Sequence, residues 1–341
     1  MMRRVAAKVV FGIGLLPLLA ILTPLVPAAD EIVPVPPGWT MDRGAGAVKG
    51  SRLILAIHGI RKPNITRLIQ IEDDRTIYTE VNGWCTWLEL TPDGKHILAT
   101  YTQRRGGAPG PSRFYLIDVE GNIVWESQDQ QRPRFSTTGE RFYRIAPTPT
   151  GTTNLELFGL DGRLMAKHEL HRPLHDLIVV GSGEEIIGLY KPKRAGPAIL
   201  ERSALGGEAA SRFRIEIDPR TMVHASLRRI DHETLLIEHA SGFTTVGLDG
   251  RLYRFLPEAL AAADPEQDVE YYRGFKPHQG PHPGTLLLES ELSTLLLNLS
   301  SGEIQDSKIR LKSYFPWRVR DRRMLIFRPQ DVVIRPLTGG E

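Results

Sequence analysis

A short phrase returns seven times along this chain of 341 residues, and its spacing limits the possible folds more than any other feature. The phrase is a turn residue, Gly or a stand-in, then a polar residue, then a short apolar run. It reads Gly50-Ser51-Arg52-Leu53-Ile54-Leu55, Gly94-Lys95-His96-Ile97-Leu98 and Gly139-Glu140-Arg141-Phe142. It continues as Gly183-Glu184-Glu185-Ile186-Ile187, His232-Glu233-Thr234-Leu235-Leu236, Gly284-Thr285-Leu286-Leu287 and Arg322-Arg323-Met324-Leu325. Successive marks lie 44, 45, 44, 49, 52 and 38 residues apart, a mean of about 45. That period has room for four short strands per repeat, which is the length of a β-propeller blade.

A second turn signal falls between the marks, at Asp73-Asp74-Arg75, Glu120-Gly121-Asn122, Asp161-Gly162-Arg163, Gly206-Gly207-Glu208, Asp249-Gly250-Arg251, Ser301-Gly302-Glu303 and Gly339-Gly340-Glu341. The flanking runs alternate apolar and polar residues as half-buried strands do, for example Phe114 to Asp118 before a turn and Ile123 to Trp125 after it. With 32 Gly and 25 Pro the chain is punctuated too often for long helices, and one short helix is expected, Pro257 to Ala263. The pattern predicts an all-β fold over residues 30–341, a single seven-bladed propeller of four-stranded blades, with six blades as the rival. The seventh repeat runs out before its outermost strand. Glu31 to Val35 is the available replacement, and pairing it there would close the ring and cover two open sheet edges. Pro34 and Pro36 suit an outermost strand, which bonds on one side only.

Ahead of this strand, Arg3, Arg4 and Lys8 precede the 18 uncharged residues Val9 to Val26, and Val26-Pro27-Ala28-Ala29 follows. A basic start, an apolar middle and small residues at the end predict a signal peptide over residues 1–28, with an uncleaved N-terminal anchor as the alternative. Both place the body in the periplasm or outside the cell. The segment also carries the whole charge excess, because 43 Lys+Arg stand against 40 Asp+Glu and three of the bases lie within it. A neutral body has no long-range field to recruit a nucleic acid, although Arg318, Arg320, Arg322 and Arg323 cluster locally along a strand-like run. A membrane partner enters only through the anchor.

In a propeller the strand before each marked turn is innermost, so equal offsets from the marks are equivalent positions around the channel. Eight residues before the marks stand Asp42, Thr86, Gln131, His175, His224, Lys276 and Tyr314, all of them polar. His175 and His224 are the candidate catalytic pair, since an imidazole can act as nucleophile, acid or base near neutral pH. A purely structural role, tying one strand to the next, is the competing reading. The other five are candidate binding residues, and the ring offers one carboxylate, Asp42, and no Arg. No metal or other cofactor is expected: a lone cysteine, Cys85, forms no thiolate cluster, and the prolines around His278 and His282 exclude the helix on which that spacing would suit a metal.

Thr91-Pro92-Asp93-Gly94-Lys95-His96-Ile97-Leu98 and Leu116 to Trp125 resemble the repeats of exported bacterial propellers of the WD40-like, quinoprotein and arylsulfotransferase types. His175 to Glu184 is similar to the blade start at which the arylsulfotransferase group carries a channel histidine. That resemblance implies sulfuryl transfer through a channel histidine, with His175 and His224 matching in position; in such an enzyme His175 is the nucleophile and His224 with Lys276 stabilises the developing oxyanions. The docking phrase of quinoprotein blades is missing, which argues against a quinone. Two functions are therefore carried forward. The first is an exported binding or scaffold module for an envelope protein, a peptide or a small molecule in the channel; the second is an arylsulfotransferase-like enzyme.

Overall fold

The computed structural model describes residues 30–61, 65–73, 75–105, 108–128, 131–147, 152–170, 174–190, 198–205, 209–215, 225–230, 234–239, 242–247, 251–263, 267–290, 293–307, 317–320 and 323–337. The N-terminal segment with its signal pattern lies outside them.

After β1 (Glu31–Pro34), four-stranded antiparallel sheets follow one another along the chain. The first blade is β2 (Trp39–Lys49), β3 (Arg52–Gly59), β4 (Ile65–Glu72) and β5 (Arg75–Asn82). The second is β6 (Trp84–Leu90), β7 (Ile97–Arg105), β8 (Ala108–Ile117) and β9 (Ile123–Ser127). The third is β10 (Arg134–Phe135), β11 (Arg141–Pro147), β12 (Thr153–Gly159) and β13 (Leu164–Leu170), and the fourth is β14 (Leu174–Val180), β15 (Glu185–Tyr190), β16 (Ala198–Ala204) and β17 (Ala209–Ile215). The fifth is β18 (Ser226–Arg229), β19 (Thr234–His239), β20 (Gly242–Gly247) and β21 (Leu252–Phe255). The sixth is β22 (Lys276–Gln279), β23 (Thr285–Glu289), β24 (Thr294–Asn298) and β25 (Ile304–Asp306). The seventh has only β26 (Trp317–Arg320), β27 (Arg323–Phe327) and β28 (Asp331–Pro336) of its own, and β1 completes it. The chain is a seven-bladed β-propeller, and the six-bladed rival falls.

Each repeat mark lies between the first and second strand of a blade. Gly50, Gly94, Gly139, Gly183 and Gly284 all take positive φ there, the left-handed conformation that glycine reaches without cost. At Gly139 the missing side chain also allows close packing, because a Cβ would stand 2.2 Å from Pro92 Cδ in the turn of the preceding blade. Those turns are also bonded from blade to blade: Arg52 Nη1 donates to Gly94 O at 2.6 Å and Thr138 Oγ1 to Gly181 O at 2.9 Å.

Both faces of a blade are buried, and strand alternation sends successive side chains to opposite neighbours. In β3, Ile54 and Ala56 pack with Leu88, Ile97 and Tyr101 of the second blade. Leu53, Leu55 and Ile57 point the other way, to Leu325, Phe327 and Ile334 of the seventh. In β23, Leu286 and Leu288 join the fifth-blade cluster around Phe243 and Phe255, while Leu287 joins Met324 and Ile326. The hydrophobic core is thus a set of wedges, one in each gap between blades, and the ring stands only if every gap is filled.

The closure has the register Glu31↔Ile334, Ile32↔Val333, Val33↔Val332 and Pro34↔Asp331. Val35 N adds a bond to Gln330 O at 2.8 Å, and Asp30 takes a two-pronged bond from Arg335. The expected helix forms as α1 (Pro257–Ala263), and a second, unexpected one follows as α2 (Val269–Arg273). Five residues carry no readable period, but Asp268 caps α2 by accepting from Tyr271 N at 2.8 Å. Among the described residues no helix is long and apolar enough to cross a membrane.

Candidate functional site

The first strand of each blade lies innermost, and these strands adjoin across the gaps: β2 meets β6, β14 meets β18, and β26 meets both β2 and β22. Three of the candidate positions share an irregularity there. In the second blade Cys85 pairs with Tyr101 and Trp87 with Thr100, so Thr86 is the extra residue of a bulge. In the fourth, Leu174 pairs with Tyr190 and Asp176 with Leu189, which makes His175 the extra residue. Asp42 lies in the unpaired stretch between Thr40 and Ala45 of the first blade, and its side chain is outside the described atoms. A bulge bends its strand and re-aims one side chain, and such irregularities gather where a sheet must present a group.

The remaining candidates are placed less uniformly. Gln131 is exposed just ahead of β10, and Lys276 is exposed at the start of β22, in regular register with Glu289. His224 and Tyr314 lie outside the described residues. His175, half-buried, has its Nε2 at 2.6 Å from Ala225 O, at the threshold of β18. A carbonyl only accepts, so Nε2 carries the proton. Nδ1 has no hydrogen-bond partner among the described residues.

Beside His175 stands a denser polar group that equal offsets did not select. Asp176, buried, accepts from Leu177 N at 2.9 Å through Oδ1 and from Leu227 N at 2.9 Å through Oδ2. Arg134 forks onto the same carboxylate, with Nη1 at 2.9 Å from Oδ1 and Nη2 at 3.4 Å from Oδ2. Its Nη1 also reaches Leu227 O at 3.3 Å and Leu177 O at 3.4 Å. Tyr143 completes the group by donating to Leu177 O at 3.0 Å; burial raises its pKa, so the phenol keeps its proton. The inner edge of a blade presents backbone groups that no neighbouring strand satisfies, and here a side-chain pair satisfies those of Leu227.

Arg132, two residues before Arg134, lies with its guanidinium over the Trp87 ring, 4.3 Å from the centroid. The sequence signal was present. In Arg132-Pro133-Arg134-Phe135 the second and fourth residues are buried, so the two arginines share the other face. Burial against neighbouring groups, and after it the charge of Arg134, lowers the pKa of Arg132, while Glu89 and Asp176 work in the opposite direction. The guanidinium remains charged at neutral pH.

Other reactive residue types are accounted for by packing. Cys85 is buried, and burial pushes its thiol up to about 12, which leaves almost no thiolate at neutral pH. His278 is on a strand with Nε2 at 3.2 Å from Glu289 Oε2, and His282 is exposed in the following turn. Among the described residues no three His, Cys, Asp or Glu side chains converge as a metal site.

No family model matches this chain, and no curated protein does. Solved structures do. The β-propeller domain of the Trilobed protease from Pyrococcus furiosus aligns with TM-score 0.52 and 11% identity, over 86% of this chain and 96% of that one. An uncharacterized protein of Listeria monocytogenes aligns with TM-score 0.50 and 11% identity, over 86% and 90%. An acylaminoacyl peptidase aligns with TM-score 0.51 and 12% identity over 86% of this chain but only 52% of its own length. The propeller from Pyrococcus is described as having an open velcro topology, whereas here β1 closes the last blade. At these identities the likeness establishes the fold, and a fold of this kind hosts many functions.

Proposed function

We propose that the chain is an exported binding or scaffold module that holds a small molecule or a segment of an envelope protein at the inner ends of blades two to four. The observation that carries this reading is the use of the channel groups as struts. The imidazole of His175 bonds to the fifth blade, and Asp176 and Arg134 satisfy each other and the edge of β18. Groups held this way give a rigid rim on which a ligand can rest, and a rigid site limits the ordering cost of binding. The balance of acids and bases in the body supports a partner other than nucleic acid.

The Nδ1 of His175, which has no hydrogen-bond partner among the described residues, favours a second reading, sulfuryl transfer. There the S–O bond of an aryl sulfate breaks as an S–N bond to Nδ1 forms, the phenolate departs, and a second phenol takes the group with loss of its proton. A transfer assay separates the two readings. The purified chain is given an aryl sulfate and a phenol, beside the variants His175→Ala and His224→Ala. We expect no transfer by the parent chain, and about 1–2 kcal/mol lower stability for His175→Ala from loss of the strut. Transfer that disappears in either variant overturns the binding reading.

A further inference from the structure

Among the described residues large apolar side chains stay exposed at seven positions, and five of these share one level of the ring. Ile32 in β1, Ile123 in β9, Leu164 and Met165 in β13, and Leu252 in β21 are each the first or second residue of a blade's outermost strand. Antiparallel strands reverse direction at every turn, so the turn before a fourth strand lies at the same end as the turn after a first strand. The five therefore stand at the rim of the face that carries the repeat marks. They belong to blades two, three, five and seven and form a collar round the ring, interrupted in the first blade by exposed Arg75 and Thr76. Single exposed apolar residues need no explanation, but a common level in four blades points to a common surface.

The chain enters the ring at the same face. β1 pairs with β28 so that Glu31 is opposite Ile334 and Pro34 opposite Asp331, which puts Asp30 at the end of the repeat-mark turns and Val35 at the other end. Ahead of Asp30, the 18 uncharged residues Val9 to Val26 fall within the ~17–25 that cross a hydrocarbon core. Only Pro27, Ala28 and Ala29 separate that run from Asp30, and four peptide steps reach at most about 14 Å. A headgroup layer is about 5–8 Å deep, so a body joined through so short a link rests against it. Resting on the edge of the seventh blade would bring only Ile32 to the lipid, whereas resting flat on the repeat-mark face brings all four blades.

We infer that the protein lies flat on a membrane surface, with Val9 to Val26 retained as its anchor, the repeat-mark turns against the lipid headgroups, and the collar of Ile32, Ile123, Leu164, Met165 and Leu252 at the apolar boundary. The first strand of each blade starts at the opposite face, so Thr86, Arg134 and His175 open away from the lipid, toward the aqueous phase. This inference goes beyond the binding-module reading and does not depend on it.

The test uses the full chain reconstituted into phosphatidylcholine vesicles, with one added cysteine in each variant. Ile123→Cys, Leu164→Cys and Leu252→Cys sample the collar in three blades, and Ile60→Cys, equally exposed just beyond β3 on the opposite face, is the control. Each is labelled in the folded state with an environment-sensitive fluorophore, to which buried Cys85 is closed. With melting temperatures equal to that of the parent, all three collar labels should emit at shorter wavelength than the Ile60→Cys label and lose intensity when nitroxide-bearing lipids are included. The Ile60→Cys label should keep its intensity. The inference falls if any collar label is unaffected by the nitroxide lipids, or if the Ile60→Cys label is quenched as strongly. It falls equally if cells making the full chain release it as a soluble body that begins at Ala29 or Asp30.

Discussion

Replacing Asp176 with Ala should lower the stability of the ring by about 3–5 kcal/mol, the cost of leaving a buried charge and its donors without a partner. The carboxylate is buried and takes bonds from Leu177 N, Leu227 N and Arg134, in three different blades. Its loss strands the Arg134 guanidinium beside a blade edge that has lost its acceptor. The substitution thus loosens two gaps, between blades three and four and between blades four and five. Because breaking a buried pair costs more than replacing both members, the double variant Arg134→Met/Asp176→Leu should recover the part of the loss due to the stranded guanidinium, while Leu177 N and Leu227 N stay without an acceptor. Urea denaturation followed by tryptophan fluorescence measures both. An Asp176→Ala midpoint equal to that of the parent would show that the pair holds nothing together.

Removal of residues 30–35 is the second large perturbation. It takes away the fourth strand of the seventh blade, the ladder from Glu31 to Pro34, and the packing of Val33 and Val35 against the cluster of Leu325, Phe327 and Ile334. Counting the ladder bonds at about 1 kcal/mol each and partial burial of two valines, the loss is of the order of 4–6 kcal/mol, or about 10 °C in melting temperature. It also exposes the edge of β28, where Val332, Val333 and Ile334 are buried in the intact ring. The shortened chain should therefore associate in a concentration-dependent way, as open apolar edges do. Sedimentation beside thermal melting tests this; an equally stable monomer would mean that β1 does not close the ring. Asp30 adds a smaller, pH-dependent contribution. Its hydrogen bond to Arg335 lowers the carboxyl pKa in the folded state, so the contribution is present above the ordinary Asp value and is lost as pH falls through the lowered one.

Much of this architecture was written in the chain because a propeller repeats its physics. Every blade needs a tight first turn, so glycine recurs at the marks, and every blade buries both faces, so apolar residues run together in the second strand, as in Leu53 to Ile57. Equal offsets from those turns led to Thr86 and His175, and both proved to be bulge residues. The same counting failed in the third blade. There β10 is only Arg134–Phe135, and the groups that reach other blades are Arg132 and Arg134, one and three places beyond Gln131. The strut from His175 to Ala225 spans 50 residues between blades and has no local signature. Pairings of this kind depend on how far each blade is rotated against the next, which periodicity alone does not encode. The helix α2 was missed for a simpler reason, being shorter than two turns.

The strut from His175 to the Ala225 carbonyl ties the fourth blade to the fifth, and the position of one proton reports whether it forms. With histidine labelled by nitrogen-15 and the His175→Ala variant for assignment, long-range nitrogen–proton NMR at pH 8 shows which ring nitrogen is protonated. A proton fixed on Nε2 is the outcome required by the bond to Ala225 O. A proton on Nδ1, or rapid averaging between both nitrogens, would contradict it.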